Sequence, residues 1–245
     1  MEVSGNVVAI TGGATGIGLA LAQRFASLGN RVLICGRREY KLQEAAARLP
    51  GVTSIQCDIS KSADRESLWR AASELGVNVL INNAGIQRGI DLKNGLDDML
   101  SGEDEIETNL TAQVRLTASF IPMLMGRETA AIVNVSSGLA IVPLARFPLY
   151  CATKAAMHSF SISLRQQLSP TRIKVFELLP PTVYDTELKG EPMKRTEWSL
   201  SAAEVADAAM TGIAEDRYEI AVGGVAKWLS ATKEERDGIF SGMNR

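Results

Sequence analysis

The sequence predicts an α/β fold, in which a parallel β-sheet carries helices on both of its faces. Short apolar segments alternate along the chain with longer helix-forming segments, and this order is typical of parallel sheets. The first apolar segment, Val7 to Ile10, is predicted to be a buried strand. A glycine-containing turn then leads into the first helix, so strand, turn and helix follow each other within about twenty residues.

The predicted elements cover most of the chain. Strands are predicted at 7–10, 31–35, 53–57, 77–81, 130–135, 172–179 and 219–222. Helices are predicted at 18–28, 39–49, 61–75, 96–100, 104–125, 150–168, 204–214 and 226–229. Pro122 is expected to kink or shorten the helix that contains it. Ser201 and Glu204 are spaced as a capping box, and the chain after 229 is expected to fray.

Composition excludes several classes of function. The 245 residues are 46% hydrophobic and 22% charged, as in an ordinary globular protein, and one domain over 1–245 accounts for this length. A net charge of −2 gives no reason to expect nucleic acid or an anionic membrane as a partner. Three cysteines and one histidine form neither a disulfide framework nor a zinc pattern, so no metal and a reducing compartment are expected. No leader and no membrane span is recognisable, which predicts a cytoplasmic protein.

The turn after the first strand has the pattern Gly-x-x-x-Gly-x-Gly, with its glycines at 12, 16 and 18. Glycine lets the main chain approach an anion closely, and the N-terminus of the following helix offers free N–H groups. The turn is therefore a candidate cradle for a phosphate group. The alternative is a tight strand-to-helix turn that binds nothing.

Two arginines follow the second strand. In dinucleotide-binding folds an acidic residue here binds the ribose of NAD, whereas arginine suits the additional phosphate of NADP. No acidic residue lies between Arg31 and Arg38, and both Arg37 and Arg38 are present. This predicts NADP(H) in preference to NAD(H), with Arg37 as the better candidate. The alternative is a pair of solvated surface arginines.

Polar residues also end the third and fourth strands. Asp58 follows the third strand, and the segment 82–85, Asn-Asn-Ala-Gly, follows the fourth. Ligands of open α/β sheets bind at this carboxyl edge. The segment 82–85 is therefore a candidate part of the site, or otherwise a turn that satisfies its own backbone.

A tyrosine and a lysine at helical spacing form the candidate catalytic group. Tyr150 and Lys154 are four residues apart, so they lie on one face of one helix. A phenol ordinarily has a pKa near 10, and a neighbouring ammonium group is expected to lower it into a useful range. Ser137, at the end of the fifth strand, can donate a hydrogen bond to a carbonyl oxygen that gains charge as a cofactor delivers hydride.

Taken together, these motifs resemble the short-chain dehydrogenase/reductase superfamily. The resemblance covers Thr11 to Gly18, Asp58, Asn82 to Gly85, Asn109, Ser137 and Tyr150-x-x-x-Lys154, all in the expected order. It implies a single-domain Rossmann fold whose seven parallel strands lie in the order 3-2-1-4-5-6-7. Two further segments, at 83–87 and 218–227, resemble the DltE-like branch of bacterial oxidoreductases, whose label does not identify a substrate.

The resemblance also implies residue roles. Tyr150 would be the general acid and base, Lys154 would lower its pKa and hold the nicotinamide ribose, Ser137 would position the carbonyl, and Asn109 would anchor a water in the proton relay. Asp58 would meet the adenine. The implied cofactor site comprises Thr11, Gly12, Thr15, Gly16, Ile17, Gly18, Arg37, Arg38, Asp58, Ile59, Asn83, Ala84, Gly85, Tyr150, Lys154, Pro180, Thr182, Val183 and Thr186.

One segment departs from the family pattern. The family usually has Pro-Gly after the sixth strand and then a threonine that contacts the nicotinamide, but here the sequence is Pro180-Pro181. Thr186 comes one residue late for this role, and Thr182 is the lesser candidate. The following loop, 184–200, combines charged residues with large apolar ones (Leu188, Met193 and Trp198), and is expected to cover the substrate site. It is otherwise a surface connection without a role.

The sequence thus predicts an NADP(H)-dependent oxidoreductase acting on a small-molecule carbonyl or secondary alcohol. The alternatives are a non-catalytic dinucleotide-binding redox sensor or scaffold, and a sugar epimerase or dehydratase, against which the short C-terminal portion argues. The resemblance further implies a homodimer or homotetramer assembled through the helices at 104–125 and 150–168. His158, on the second of these helices, is expected to be a packed or surface residue rather than a catalyst.

Overall fold

A single seven-stranded sheet organises the molecule in the computed structural model, which describes residues 1–186, 188 and 195–245. All strand pairs are parallel, and their order is β3-β2-β1-β4-β5-β6-β7. The strands are β1 (Val7–Thr11), β2 (Arg31–Gly36), β3 (Val52–Gln56), β4 (Val79–Asn82), β5 (Ala130–Val135), β6 (Ile173–Leu179) and β7 (Glu219–Ala221). The predicted doubly wound Rossmann fold is confirmed. Strand order reverses between β1 and β4, which places a crevice at their carboxyl ends.

Helices cover both faces of this sheet. They are α1 (Gly16–Ser27), α2 (Glu39–Arg48), α3 (Ser62–Leu75), α4 (Leu96–Ser101), α5 (Glu103–Ile106), α6 (Ala112–Met125), α7 (Pro148–Gln167), α8 (Ala202–Ala214), α9 (Val225–Ser230) and α10 (Lys233–Met243). A π-helical turn, Glu107–Thr111, joins α5 to α6, and 3₁₀ turns lie at Leu92–Asn94 and Gly138–Ala140. Within the described residues, no helix is both long and apolar enough to cross a membrane.

The core consists of two apolar layers, one on each face of the sheet. Helices α1, α2 and α8 pack on one face, where Phe25 and Val205 are fully buried. Helices α3, α6 and α7 pack on the other, where Leu68 and Phe120 are buried. Burial of each such side chain is worth about 1.5–3 kcal/mol relative to exposure. These two layers hold the sheet rigid, so the carboxyl edge is a fixed platform for side chains.

Two predictions about helices need correction. Pro122 does not shorten the helix, since α6 continues through it to Met125. Pro122 and Ala118 are both exposed, so water can satisfy the carbonyl that the proline leaves without a partner. The long helix is instead interrupted earlier, at Asn109, by the π-helical turn. Such turns occur often at functional sites.

The prediction that the chain frays after 229 is wrong. Helix α10 follows α9, and it begins with a capping box in which Thr232 Oγ1 accepts from Glu235 N at 3.3 Å and Glu235 Oε2 accepts from Thr232 N at 2.7 Å. The pattern Thr-x-x-Glu was therefore the available signal for this helix. The corresponding prediction for α8, with Ser201 and Glu204, is confirmed.

Candidate active site

A cavity of about 630 Å³ runs along the carboxyl edge of the sheet. This volume is in the range of small-molecule and cofactor sites. One end, called here the arginine end, is formed by the glycine turn (12–18), Arg37, Arg38 and Asp58. The other, called the tyrosine end, is formed by Ser137, Tyr150 and Lys154. The predicted residues that line the cavity are Gly12, Thr15, Gly16, Ile17, Arg37, Arg38, Asp58, Ile59, Asn83, Ala84, Gly85, Ser137, Tyr150, Lys154, Pro180, Thr182, Val183 and Thr186.

Thr11 supports the cavity from behind rather than lining it. It is fully buried at the end of β1, and its Oγ1 accepts from the backbone N–H groups of Asn83 and Ala84, each at 3.0 Å. The Asn83 side chain returns a hydrogen bond to Thr11 O at 2.9 Å. These contacts tie the end of β4 to the glycine turn, so the two loops form one surface.

Two glycines of the turn are required by close packing. A Cβ on Gly18 would lie 2.5 Å from Asn83 Nδ2 and closer still to Gly12 O, so only glycine fits there. Gly16 has φ of +54°, and a Cβ on it would lie 2.9 Å from Thr186 Cγ2. Gly18 therefore has a packing role and does not line the cavity. Thr186, the threonine that comes one position late, lies against the glycine turn.

Charge at the arginine end is exposed to solvent. Arg37 and Arg38 are both exposed, and Arg38 Nη2 lies 3.4 Å from Thr15 Oγ1 of the glycine turn. Burial alone would raise the pKa of Asp58, but hydrogen bonds from Ser60 and the positive charges of Arg37 and Lys61 together hold it below its usual value. The arginine end thus presents two guanidinium groups beside an ionised carboxylate.

Three side chains converge at the tyrosine end. The Ser137 side chain lies near the hydroxyl of Tyr150 and lowers its pKa. Lys154 Nζ donates to the carbonyl of Val135 at 2.8 Å and lies 5.6 Å from the centre of the Tyr150 ring. Each of the three side chains is buried. They come together because β5 ends at 135 and α7 passes directly beside that end.

Burial dominates the ionisation of these groups. Burial raises the pKa of Tyr150, and the neighbouring Ser137 side chain offsets only part of this, while Cys151 and Glu105 raise the pKa further. Burial also lowers the pKa of Lys154 to about 8, against an opposing effect of Glu177. The expected lowering of the Tyr150 pKa is therefore wrong for the protein as described, because desolvation is the largest effect and raises it. Tyr150 is protonated at neutral pH, which suits a proton donor.

Asn109 lies behind the cavity, inside the π-helical turn. Its Oδ1 accepts from Ile86 N at 2.8 Å, and its Nδ2 donates to Ile86 O at 2.8 Å and to Thr153 Oγ1 at 3.4 Å. Gly85 fits between Asn109 Oδ1 and Lys154 Nζ. The side chain thus fixes the segment after β4 beside Lys154. The water proposed for it stays a prediction.

Sequence reasoning missed the apolar wall beside the tyrosine end. This wall is formed by Leu139, Leu144, Phe147, Trp228 and Met243, together with Leu188. The first three come from the proline-containing loop before α7, and the last helices supply the tryptophan and methionine. The only hint in the sequence was the clustering of apolar residues in that loop.

The predicted substrate loop is described only in part. Leu188 of this loop lines the cavity, whereas Trp198 is 79% exposed and does not line it. Met193 lies outside the described residues. Arg88 also reaches the cavity, where it pairs with Asp104, with one contact at 2.8 Å.

Comparison with known proteins agrees with this geometry. The family model described as short chain dehydrogenase matches residues 6–197. The chain belongs to the short-chain dehydrogenase family, whose members include dehydrogenases and reductases. Within that family it lies in the DltE-like branch. It is 45% identical over 249 residues to the uncharacterized oxidoreductase DltE of Bacillus subtilis (strain 168), covering 100% of this chain and 98% of that protein.

Other relatives bind nicotinamide dinucleotides of both kinds. The NADP-dependent 3-hydroxy acid dehydrogenase YdfG of Salmonella typhi is 31% identical over 193 residues, 77% of each chain. A short-chain dehydrogenase of Burkholderia cenocepacia J2315, solved with NADP, superposes with a TM-score of 0.83 at 28% identity, covering 98% of this chain and 99% of that one. A 3-ketoacyl-(acyl-carrier-protein) reductase of Brucella melitensis, solved with NADH, also gives 0.83, at 26% identity, covering 91% and 98%. The cofactors named for these three proteins are thus all nicotinamide dinucleotides.

Proposed function

We propose that the protein is an NADP(H)-dependent oxidoreductase that interconverts a carbonyl group and a secondary alcohol, with Tyr150 as the general acid and base. The observation that carries this proposal is the burial of Ser137, Tyr150 and Lys154 together at one end of the cavity, where Ser137 acts on the Tyr150 hydroxyl. Tyr150 as proton donor and Ser137 as hydrogen-bond donor can then bind the same carbonyl oxygen.

The cavity fits a dinucleotide. Backbone of the glycine turn borders it, the N-terminus of α1 supplies free N–H groups, and Asp58 and Asn83 to Gly85 continue its wall. At its arginine end, Arg37 and Arg38 offer the planar, permanently charged groups that suit a phosphate. These two residues support a preference for NADP(H), and the NADP-dependent relative of Salmonella typhi supports it further.

The chemistry that a nicotinamide supplies when bound is hydride transfer to or from the carbonyl carbon. In the direction of reduction, Ser137 orients the carbonyl, and Tyr150 gives its proton to the carbonyl oxygen so that an alcohol results. In the direction of oxidation, Tyr150 takes that proton back. Lys154 in its charged form stabilises the phenolate that remains after proton transfer. Thr186, packed on the glycine turn, and the more exposed Thr182 are the candidates to contact the nicotinamide.

The tyrosine end also argues against a non-catalytic binding protein. A buried tyrosine hydroxyl and a buried ammonium group cost free energy of desolvation and add little to packing. A sensor or scaffold that only binds a dinucleotide gains nothing from them, whereas proton transfer requires them. This favours the enzyme.

We further propose that the chain acts as one domain in the cytoplasm and as a homodimer or homotetramer. Exposed apolar side chains on α6 and α7, Met125 and Ile162 among them, support an assembly through these helices. Equilibrium sedimentation of the parent protein and of Met125→Asp tests it, since the charge should dissociate an assembly that uses this face.

The function is tested by following NADPH absorbance with a panel of aldehydes, ketones and secondary alcohols. We expect turnover with at least one neutral carbonyl compound, because apolar side chains line the substrate side of the cavity. The matched control is Tyr150→Phe, which keeps the ring and removes the transferable proton. Tight NADPH binding without turnover across the whole panel would instead support the sensor or scaffold.

A further inference from the structure

Behind the tyrosine end lies a buried carboxylate that the proposed reaction does not use. Glu177, in β6, has no solvent exposure. Its Oε1 accepts a hydrogen bond from the hydroxyl of Ser136, and its Oε2 lies 2.8 Å from His158 Nδ1. Both oxygens therefore have partners. An ionised carboxylate in such a place is retained only when it is paired and hydrogen-bonded.

The two partners connect Glu177 to the catalytic residues. Ser136 immediately precedes Ser137 at the end of β5, and its backbone N–H also bonds Leu178 O of β6 at 2.9 Å. His158 lies one helical turn after Lys154 on α7, so both face the same side of the helix. Glu177 therefore bridges the strand that carries Ser137 and the helix that carries Tyr150 and Lys154.

The charges around this bridge come from several elements. His158 is influenced by Glu177, by Glu219 of β7, and by Arg165 about two turns further along α7. The negative charge of Glu177 also acts on Lys154, and it raises the pKa of Lys154 against the lowering by burial. The Glu177 hydrogen bond raises the pKa of His158 above its usual value.

The potential metal-ligand atoms of three residues lie within 4.8 Å of one another: the imidazole of His158 and the carboxylates of Glu177 and Glu219. A cation is nevertheless disfavoured there. The oxygens of Glu177 are both engaged by protein donors, and the guanidinium of Arg165 acts on the same imidazole. A hydrogen-bonded charge pair accounts for the arrangement.

We propose that Glu177 and His158 form a positioning pair, which keeps Lys154 protonated and fixes the end of β5 against α7. Glu177 supplies the negative charge that compensates the desolvation of Lys154, and His158 holds that carboxylate in place from the partly exposed side of α7. Only the consequence for turnover rests on the proposed function. The protonation state of Lys154 can be measured without it.

The experiment is a carbon-13 NMR titration of protein labelled at the ε-carbon of lysine, with the Lys154 signal assigned by its loss in Lys154→Arg. Glu177→Gln keeps the size of the side chain and one of its two acceptor oxygens, and removes its charge. We expect the Lys154 midpoint to fall by about one pH unit, the lower end of the effect of a close opposite charge. Glu177→Asp, which restores the charge, should return the midpoint towards that of the parent. The exposed Glu219→Gln is the matched control and should leave it unchanged.

An unchanged Lys154 midpoint in Glu177→Gln overturns the proposal, as does an equal fall in Glu177→Asp. If Glu177→Gln does not fold, the pair can still be tested by an NMR titration of His158 in the parent protein. His158 is the single histidine of the chain, so its signal is unambiguous. A His158 midpoint at or below the ordinary value of about 6.5 would show that the pair does not form.

Turnover gives a separate readout. In Glu177→Gln the alkaline limit of kcat/KM should move to lower pH together with the Lys154 midpoint, whereas a merely structural defect would lower turnover without moving the limit. If no substrate is found but the Lys154 midpoint moves as expected, the proposed function fails and the positioning pair stands.

Discussion

The two ends of the cavity are built on different physical principles. At the arginine end, recognition depends on backbone geometry around close-packed glycines and on exposed guanidinium groups. At the tyrosine end, Tyr150, Lys154 and Glu177 are ionisable and buried. Solvent screens the first set, so its charges interact more weakly than charges in the interior. Desolvation couples the second set, so a change in one group alters the ionisation of its neighbours.

The largest expected effect tests the tyrosine end. Tyr150→Phe removes the proton that the reaction transfers and keeps the ring in its buried site, so turnover should fall by about 10²-fold or more, the usual contribution of general acid–base catalysis. NADPH affinity, measured by fluorescence titration, should be retained because the arginine end is untouched. Parental turnover in this variant would show that another group transfers the proton.

The second effect tests the backbone at the arginine end. Gly18→Ala places a methyl group against Asn83 and Gly12 O, and overpacking of this kind costs about 1–3 kcal/mol of unfolding free energy. Gly238→Ala is the matched control, because this exposed glycine of α10 has open space around it, and alanine there should stabilise by about 0.5–1 kcal/mol. Urea denaturation measures both. Equal stability of the two variants would show that the glycine turn is less tightly packed than described.

The third effect is smaller, because it concerns an exposed charge. Arg37→Asp should weaken NADPH binding by about tenfold, a loss of roughly 1.4 kcal/mol, through removal of a charge-assisted contact and repulsion of the phosphate. NADH binding should be little changed. Arg172→Asp, which alters an exposed arginine outside the cavity lining, controls for net charge. Equal affinities of the parent for NADPH and NADH would contradict the assignment.

The smallest effect is the pH dependence of the parent enzyme. Lys154 is protonated below its pKa of about 8 and loses the proton above it. Since the charged form supports proton transfer from Tyr150, kcat/KM should decline as pH rises through about 8. Measurement of kcat/KM between pH 6 and 10 tests this, and a profile that stays level to pH 10 would show that the charge of Lys154 is not required.

The two ends also differed in how far sequence could predict them. Spacing along one strand, turn or helix was sufficient for the glycine turn and for Tyr150 and Lys154, since local periodicity determines which residues share a face. Strand β5 was predicted with the bounds that the structure has. The direction of the Tyr150 pKa was wrong, because burial depends on what every surrounding element covers.

Long-range contacts explain the other omissions. Trp228 and Met243 reach the cavity from the C-terminal helices, and no local pattern connects them to Ser137. The pair of Glu177 and His158 was also missed, because the two residues lie on different elements and meet only after β6 pairs with β5. His158 was expected to be a packed or surface residue, and its spacing in the sequence gave no sign of its buried partner Glu177.

The last helix, α10, contributes to the cavity lining but not to the core. Helix α10 buries no residue of its own, yet Met243 at its end borders the cavity, and Asn244 bonds Ala145 N at 2.6 Å and Pro143 O at 3.3 Å. Changes in this segment therefore reshape the substrate side without disturbing either layer of the core. Substitutions in residues 233–245 are therefore expected to change substrate specificity while leaving the stability of the sheet largely unaffected.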